Sequence, residues 1–360
     1  MNNDITVMRQ MISEIQLETR SLSMMEVCGT HTMAIARSGI RELLPENIRL
    51  LSGPGCPVCV TAQGDIDAVI ELVKNEELIL ATFGDMMRVP GTHSSLQEAR
   101  SQGADIRVVY SPTDALALAR SNPRSEVVFL GIGFETTAQG VGASIEAARK
   151  MNLQNFSVLS LHKVVPPALE VIFSDPEMQV DALICPGHVS VVIGLEPYEK
   201  LAEKYHKPFV VTGFDSVDIL QGILMILLQV EKHQGFAEIQ YRQLVKPEGN
   251  PVAQAILNRV FQPVNCRWRG LGVIPLSGLA IRDEYGDFDA RRKFTIPDIK
   301  DQPIKGCSCG QILTGKISPH DCPLFGTACT PLTPVGPCMV SNEGACAAYY
   351  RYTPLKGREA

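Results

Sequence analysis

Between about residues 60 and 235, short apolar runs alternate with helix-patterned stretches. This alternation constrains the fold more than any other feature of the chain. The runs that read as strands are Leu78–Phe83, Ile106–Tyr110, Val127–Ile132, Phe156–Leu161, Ala182–Cys185 and Phe209–Thr212. Most are almost continuously apolar, as strands must be when both faces of a parallel sheet are covered. Helical patterns fall between them, so the class is α/β with right-handed crossovers. Each strand runs into a loop rich in Gly, Pro or His, as in Gly-Ile-Gly-Phe-Glu-Thr-Thr (131–137) and Cys-Pro-Gly-His-Val-Ser (185–190). Ligands of open α/β sheets bind beyond the carboxyl ends of strands, so these loops define one expected functional rim.

The expected organisation is two similar parallel-sheet domains, 1–120 and 121–235, followed by an irregular segment, 236–360. The last is rich in Pro, Gly and Cys with little periodicity after a helix at Val252–Phe261. Such a segment needs a staple, and a metal centre is a suitable one. The charge run Arg282–Arg292 reads as solvated surface.

The formal charge is −6, with 33 Lys plus Arg against 39 Asp plus Glu. That balance argues against a general nucleic-acid binder, which carries a basic excess. The most apolar run, Ile219–Val230, is interrupted by Gln221 and Gly222 and is shorter than the roughly 20 residues that span a bilayer. Met1–Arg20 has no signal-peptide core, so a soluble, cytoplasmic protein without membrane partners is expected.

Eleven cysteines, an odd number, point in that compartment to metal or thiol chemistry rather than a disulfide framework. Six lie between Cys307 and Cys346. Cys307, Cys322, Cys329 and Cys346 form C-x14-C-x6-C-x16-C, and four thiolates from one irregular segment can enclose a cubane cluster or a tetrahedral zinc. Wide gaps and the prolines Pro323, Pro331, Pro334 and Pro337 favour the cluster, because zinc sites usually contain a tight knuckle. Cys309 and Cys338 are left over as an extra redox pair, alternative ligands or buried apolar fillers. In Gly53-Pro54-Gly55-Cys56-Pro57-Val58-Cys59-Val60, the C-x-x-C pair Cys56 and Cys59 reads as a redox dithiol, or else as half of a zinc site. Cys28 and His31, in Cys28-Gly29-Thr30-His31-Thr32, open a helix over Thr32–Ser38. There they could ligate an iron, act as nucleophile and base, or be structural. His93, His162 and His188 end or follow strands and are expected to converge on the rim. Glu135 is a functional carboxylate or a first-turn acid. Gly131-x-Gly133 supports a dinucleotide site only weakly, since position 136 is Thr.

The ordered set of Cys-Gly-Thr-His-Thr, Gly-Pro-Gly-Cys-Pro-Val-Cys-Val, Gly-Phe-Glu-Thr-Thr-Ala, Cys-Pro-Gly-His-Val-Ser and the C-x14-C-x6-C-x16-C tail closely resembles the HypD family of hydrogenase maturation proteins. The likeness spans about residues 25–350, with Gln139 standing where Pro is expected. It implies two α/β domains and a cluster-bearing third. It also implies a scaffold that builds the Fe(CN)2CO group of nickel–iron hydrogenases with a small HypC-type chaperone and a HypE-type cyanide donor, reaching the hydrogenase large-subunit precursor only indirectly. Carried onto this chain, Cys307, Cys322, Cys329 and Cys346 would hold a [4Fe-4S] cluster and Cys56/Cys59 would be the redox pair. Cys28, with His31 nearby, would bind the nascent iron together with a chaperone cysteine. Soft thiolate suits an iron carrying strong-field ligands, and an electron path from cluster through Cys56/Cys59 to that iron is expected. Glu343, just before Cys346, is a further candidate for tuning. The alternative is an iron–sulfur thiol–disulfide reductase acting on a partner protein.

Overall fold

A computed structural model describes residues 2–75, 77–302 and 304–353. In chain order the strands are β1 (Leu22–Glu26), β2 (Ile48–Ser52), β3 (Leu78–Thr82), β4 (Ile106–Val108), β5 (Glu126–Gly131), β6 (Phe156–Ser160), β7 (Ala182–Pro186), β8 (Phe209–Thr212), β9 (Ala237–Ile239), β10 (Phe261–Trp268) and β11 (Gly272–Ile281). They form two parallel sheets, β2-β1-β7-β8-β9 and β4-β3-β5-β6, and an antiparallel β10-β11 hairpin. All six expected strands are present, and the fold is α/β as read.

Burial on both faces explains the continuous apolar runs. In the four-stranded sheet, Leu78, Leu80, Val128, Leu130 and Leu159 pack on one face. Their alternates Ile79, Ala81, Val127, Phe129 and Val158 pack on the other. Each such aliphatic side chain contributes roughly 1.5–3 kcal/mol when fully buried, so neither face tolerates a polar substitution. In the five-stranded sheet, Met24, Leu50, Ile184 and Val210 pack against N-terminal and Ser216–Glu231 helices. The opposite face, with Met25, Leu183 and Val211, shares a continuous core with Cys56, Cys59, Cys309, Cys322, Cys329, Cys338 and Cys346.

The chain divides differently from the expected 1–120, 121–235 and 236–360. The position near 120 falls inside the four-stranded sheet, between β4 and β5, whereas β1 pairs with β7 in register Met24↔Ala182. The physical reason is that a parallel strand's neighbour is set by where its crossover lands, not by chain order. The position near 236 cuts off β9, which pairs with β8. The irregular region is also shorter than expected. Phe261–Ile281 is a hairpin with an irregularity between Val264 and Cys266, and it joins the sheet edge through Lys163↔Gly278. Of the charge run, Arg282 turns inward and donates from Nε to the Asn258 and Phe261 carbonyls. Positions 354–360 of the expected third segment lie outside the described residues. Among the described residues, no helix is long and apolar enough to cross a membrane.

Candidate functional site

Cys28 stands at the carboxyl end of β1, two residues past Glu26. Its backbone is extended (φ −146°, ψ 124°) and it caps the helix Gly29–Ser38. The helix stops at Gly39, whose φ of +68° suits a residue without Cβ. The sulfur is buried, and burial pushes the thiol up to about 12, opposed by the His31 and Thr30 amides at the helix start. Cys28 therefore holds its proton at neutral pH. Glu26 lies beneath, accepting from Thr32 Oγ1 (2.6 Å) and the Cys28 amide (3.1 Å). Burial raises this carboxyl to about 7.

His31 is fully enclosed. Its Nε2 faces the Gly213 carbonyl at 2.8 Å and Thr212 Oγ1 at 2.9 Å. A carbonyl only accepts, so Nε2 carries the proton and Nδ1 is left with a lone pair. That buried Nδ1 has no partner, and burial lowers the imidazole to about 4, which keeps it neutral. A neutral imidazole nitrogen with a free lone pair and a thiol are both donor types that iron accepts.

The C-x-x-C motif packs directly on Cys28. Cys56 and Cys59 are joined by a disulfide with Cα atoms 5.2 Å apart. Cys56 caps the short helix Pro57–Val60, and its sulfur accepts from the Cys59 amide (3.2 Å). Gly55 makes the approach possible. A Cβ there would lie 2.2 Å from the Cys28 nitrogen and 2.3 Å from the Val27 carbonyl carbon. The Gly29 amide donates to the Gly55 carbonyl at 3.1 Å, so the two loops touch backbone to backbone.

The C-terminal segment closes the site from the other side. A Cβ on Gly29 would fall 2.3 Å from Glu343 Cβ, and Thr30 Oγ1 donates to Glu343 at 3.2 Å. Burial raises the Glu343 carboxyl above its usual range. Ser341 bonds Asp85 of the loop after β3 at 3.1 Å. The turn Pro337–Val340 packs against Pro57–Val60, and the helix Ala345–Tyr352 packs against Gly29–Ser38.

The cysteines of this segment gather in one buried region. The Cys309 and Cys338 sulfurs are 3.1 Å apart. Cys307 hydrogen-bonds Cys309, and Cys338 hydrogen-bonds Cys346. Cys346 lies within electrostatic reach of Cys309, Cys329 and Cys307. The Val335 amide donates to Cys329 sulfur at 3.3 Å, and a Cβ on Gly336 would sit 2.9 Å from Cys307 sulfur. Cys322 shares the same apolar core. Among the described residues, no three Cys, His, Asp or Glu side chains converge tightly enough for a single metal ion. Tetrahedral zinc needs sulfurs converging at about 2.3 Å from one point. A four-iron cube instead takes one thiolate per corner, and Cys307, Cys322, Cys329 and Cys346, all free cysteines, supply four donors of that chemistry.

The three rim histidines do not converge. His188 stacks on Phe214 (ring centroids 4.0 Å), and His31 meets the same ring at 4.6 Å. His162 lies at the end of the other sheet, bonded to Ser160 at 3.0 Å, and His93 is exposed. The cause is the strand order: β1, β7 and β8 are neighbours, whereas β3 and β6 belong to the second sheet. Gly131 and Gly133 serve packing, since added Cβ atoms would strike the His162 ring (2.4 Å) and Thr137 (2.3 Å). Glu135 is buried, accepts from the Val165 amide at 2.9 Å and is raised by burial to about 7. Sequence reasoning missed Glu26, Trp268 and Arg269. A charge set in Trp268-Arg269-Gly270-Leu271-Gly272 was the available signal for the last.

Comparison with known proteins gives one consistent result. The family model described as "HypD: Hydrogenase formation hypA family" matches residues 4–353. The chain is 46% identical to the hydrogenase maturation factor HypD of Escherichia coli (strain K12), covering 92% of this chain and 90% of the relative. It is 46% identical to that of Cupriavidus necator, covering 92% and 90%. It is 47% identical to that of Rhizobium leguminosarum bv. viciae, covering 92% and 89%.

Proposed function

Because the chain belongs to the HypD family of hydrogenase maturation factors, we propose that it is the scaffold on which the Fe(CN)2CO group of a nickel–iron hydrogenase is assembled. The observation that carries this reading is the contact of Cys28, the Cys56–Cys59 disulfide and the Cys338 turn around Gly55 and Gly29. Cys28 holds the nascent iron as cargo, with His31 three residues on in the helix that Cys28 caps, and a HypC-type chaperone cysteine completes the thiolate set. Carbamoyl-derived cyanide arrives from a HypE-type donor. Cys307, Cys322, Cys329 and Cys346 hold a [4Fe-4S] cluster, which supplies electrons one at a time when bound.

The chain's own residues do the rest. The Cys56–Cys59 disulfide takes up two electrons and two protons to give two thiols, next to the iron thiol. Cys338, on the turn packed against Pro57–Val60, and Cys309, in sulfur contact with it, support a relay position between tail and dithiol. The enclosed His31 ring and the apolar surround keep water from the cargo. The burial of Cys56 and Cys59 (4% and 0% exposed) favours this reading over the thiol–disulfide reductase, because a partner's disulfide must reach an attacking sulfur.

The test is infrared spectroscopy on the chain purified anaerobically with its small partner, wild type beside Cys28→Ala. Expected are Fe–CN and Fe–CO bands in wild type and none in the variant, with cluster absorbance unchanged in both. Bands of full intensity in Cys28→Ala would refute the iron assignment.

A further inference from the structure

Arg269 sits between the two sulfur groups. Its side chain is 8% exposed, and among the described residues it takes part in no ion pair. On one side it is held to the C-x-x-C helix: its amide donates to the Val60 carbonyl and its Nε to the Thr61 carbonyl, both at 2.9 Å. Trp268, just before it, forms an antiparallel bridge with Thr61. On the other side the chain is pressed onto the cysteine segment. Gly270 has a φ of +81°, and a Cβ there would lie 2.4 Å from Gly310 Cα, next to Cys309. Arg269 and Gly270 line one cavity with Cys307, Cys309 and Gly310. The Arg269 Nη2 is buried and has no hydrogen-bond partner.

An unmade bond at a buried charged donor is costly. Asp301 shares that cavity, but its Oδ1 already accepts from the Gly64 amide at 2.7 Å, which leaves the Cys307/Cys309 side to offer Nη2 its acceptor in the working protein. We propose that Arg269 is a positioning residue that couples the two sulfur centres. Its Nε grips Thr61 at the end of the Cys56–Cys59 helix, while Nη2 donates to sulfur beside Cys307 and Cys309. This rests on the iron–sulfur reading of the tail. A positive charge and an N–H···S bond both stabilise the more negative, reduced form of such a group. Arg269 thus holds its potential up and fixes its distance to the dithiol.

The experiment compares wild type, Arg269→Lys and Arg269→Gln, prepared anaerobically, by iron content and by a potentiometric titration of the visible absorption. Expected is full iron in all three, a midpoint shifted to more negative potential in Arg269→Gln and a smaller shift in Arg269→Lys. Full iron with an unchanged Arg269→Gln midpoint overturns this inference alone. A colourless, iron-free wild type overturns it together with the reading it rests on. Should Arg269→Gln not accumulate as folded protein, Arg269→Lys decides. Its single ammonium cannot hold Thr61 and a sulfur at once, so an unchanged midpoint there also overturns the proposal.

Discussion

Replacing Gly55 by Ala tests whether the backbone contact between the Cys28 and C-x-x-C loops is what builds the site. The added methyl would meet the Cys28 nitrogen at 2.2 Å, the Val27 carbonyl carbon at 2.3 Å and Cys28 Cα at 2.5 Å. All three are backbone atoms, so no side-chain rotation relieves the clash and the loops must part. Overpacking of this kind costs about 1–3 kcal/mol. Parting them also breaks the 3.1 Å bond from the Gly29 amide to the Gly55 carbonyl, a further 0.5–1.5 kcal/mol or so. The sum, roughly 1.5–4.5 kcal/mol, lowers the melting midpoint by roughly 3–18 °C at 2–4 °C per kcal/mol. Gly140→Ala is the control of opposite sign. It lies inside the helix Glu135–Lys150 with nothing within 4 Å of an added Cβ, so it gains about 1 kcal/mol. Thermal melts of the three proteins by circular dichroism read the stability, and iron retained after anaerobic gel filtration with the partner reads the site. Gly55→Ala melting within a degree of wild type, with iron binding intact, would refute the reasoning.

Two further predictions concern buried groups. Burial lifts Glu135 from 4.5 to about 7, so the folded state keeps a proton that the unfolded state loses first. This group's stabilising contribution is complete below pH 4.5 and is lost as pH rises through 7. Glu135→Gln should therefore gain on wild type by about 3 kcal/mol between those limits and level off above them. Urea titrations across pH 4–9 check this, and a flat difference would contradict it. Reducing the Cys56–Cys59 disulfide opens a loop of sequence separation 3, which in the chain-entropy account costs only about 2 kcal/mol. The reduced protein should thus stay folded with a slightly lower melting midpoint, and cooperative unfolding on adding reductant at 25 °C would disprove it.

Most strands that sequence reading located, such as Leu78–Thr82 and Phe209–Thr212, are buried on both faces, where burial leaves little choice of residue; β4 is half-exposed, and the fully buried β1 was missed. β2 was missed since the exposed Arg49 breaks its short apolar run. The β10–β11 hairpin was missed since Pro263, Pro275 and an irregular register hide its alternation. The cysteine groups were legible as chemistry because their spacing is local. Their mutual contact was not, because it depends on β1 choosing β7 and on the glycines at 29, 55 and 270, whose role is to be absent of side chain. For Arg269 the sequence offered only a charge between Trp268 and Gly270; its meaning lies in what packs around it.

The insertion of β7 beside β1 also orders events during synthesis. β1 and β2 emerge from the ribosome early, yet β7, which pairs the other edge of β1, begins at Ala182, with β8 and β9 later still. At about 5–20 residues per second, the first strand waits roughly 8–30 s for its neighbour. Meanwhile the contiguous four-stranded sheet, drawn from Leu78 to Ser160, can finish. The thiol at position 28 therefore acquires its enclosure late, after the tail helix that covers it has been made, so a half-made chain offers stray metal ions no finished seat.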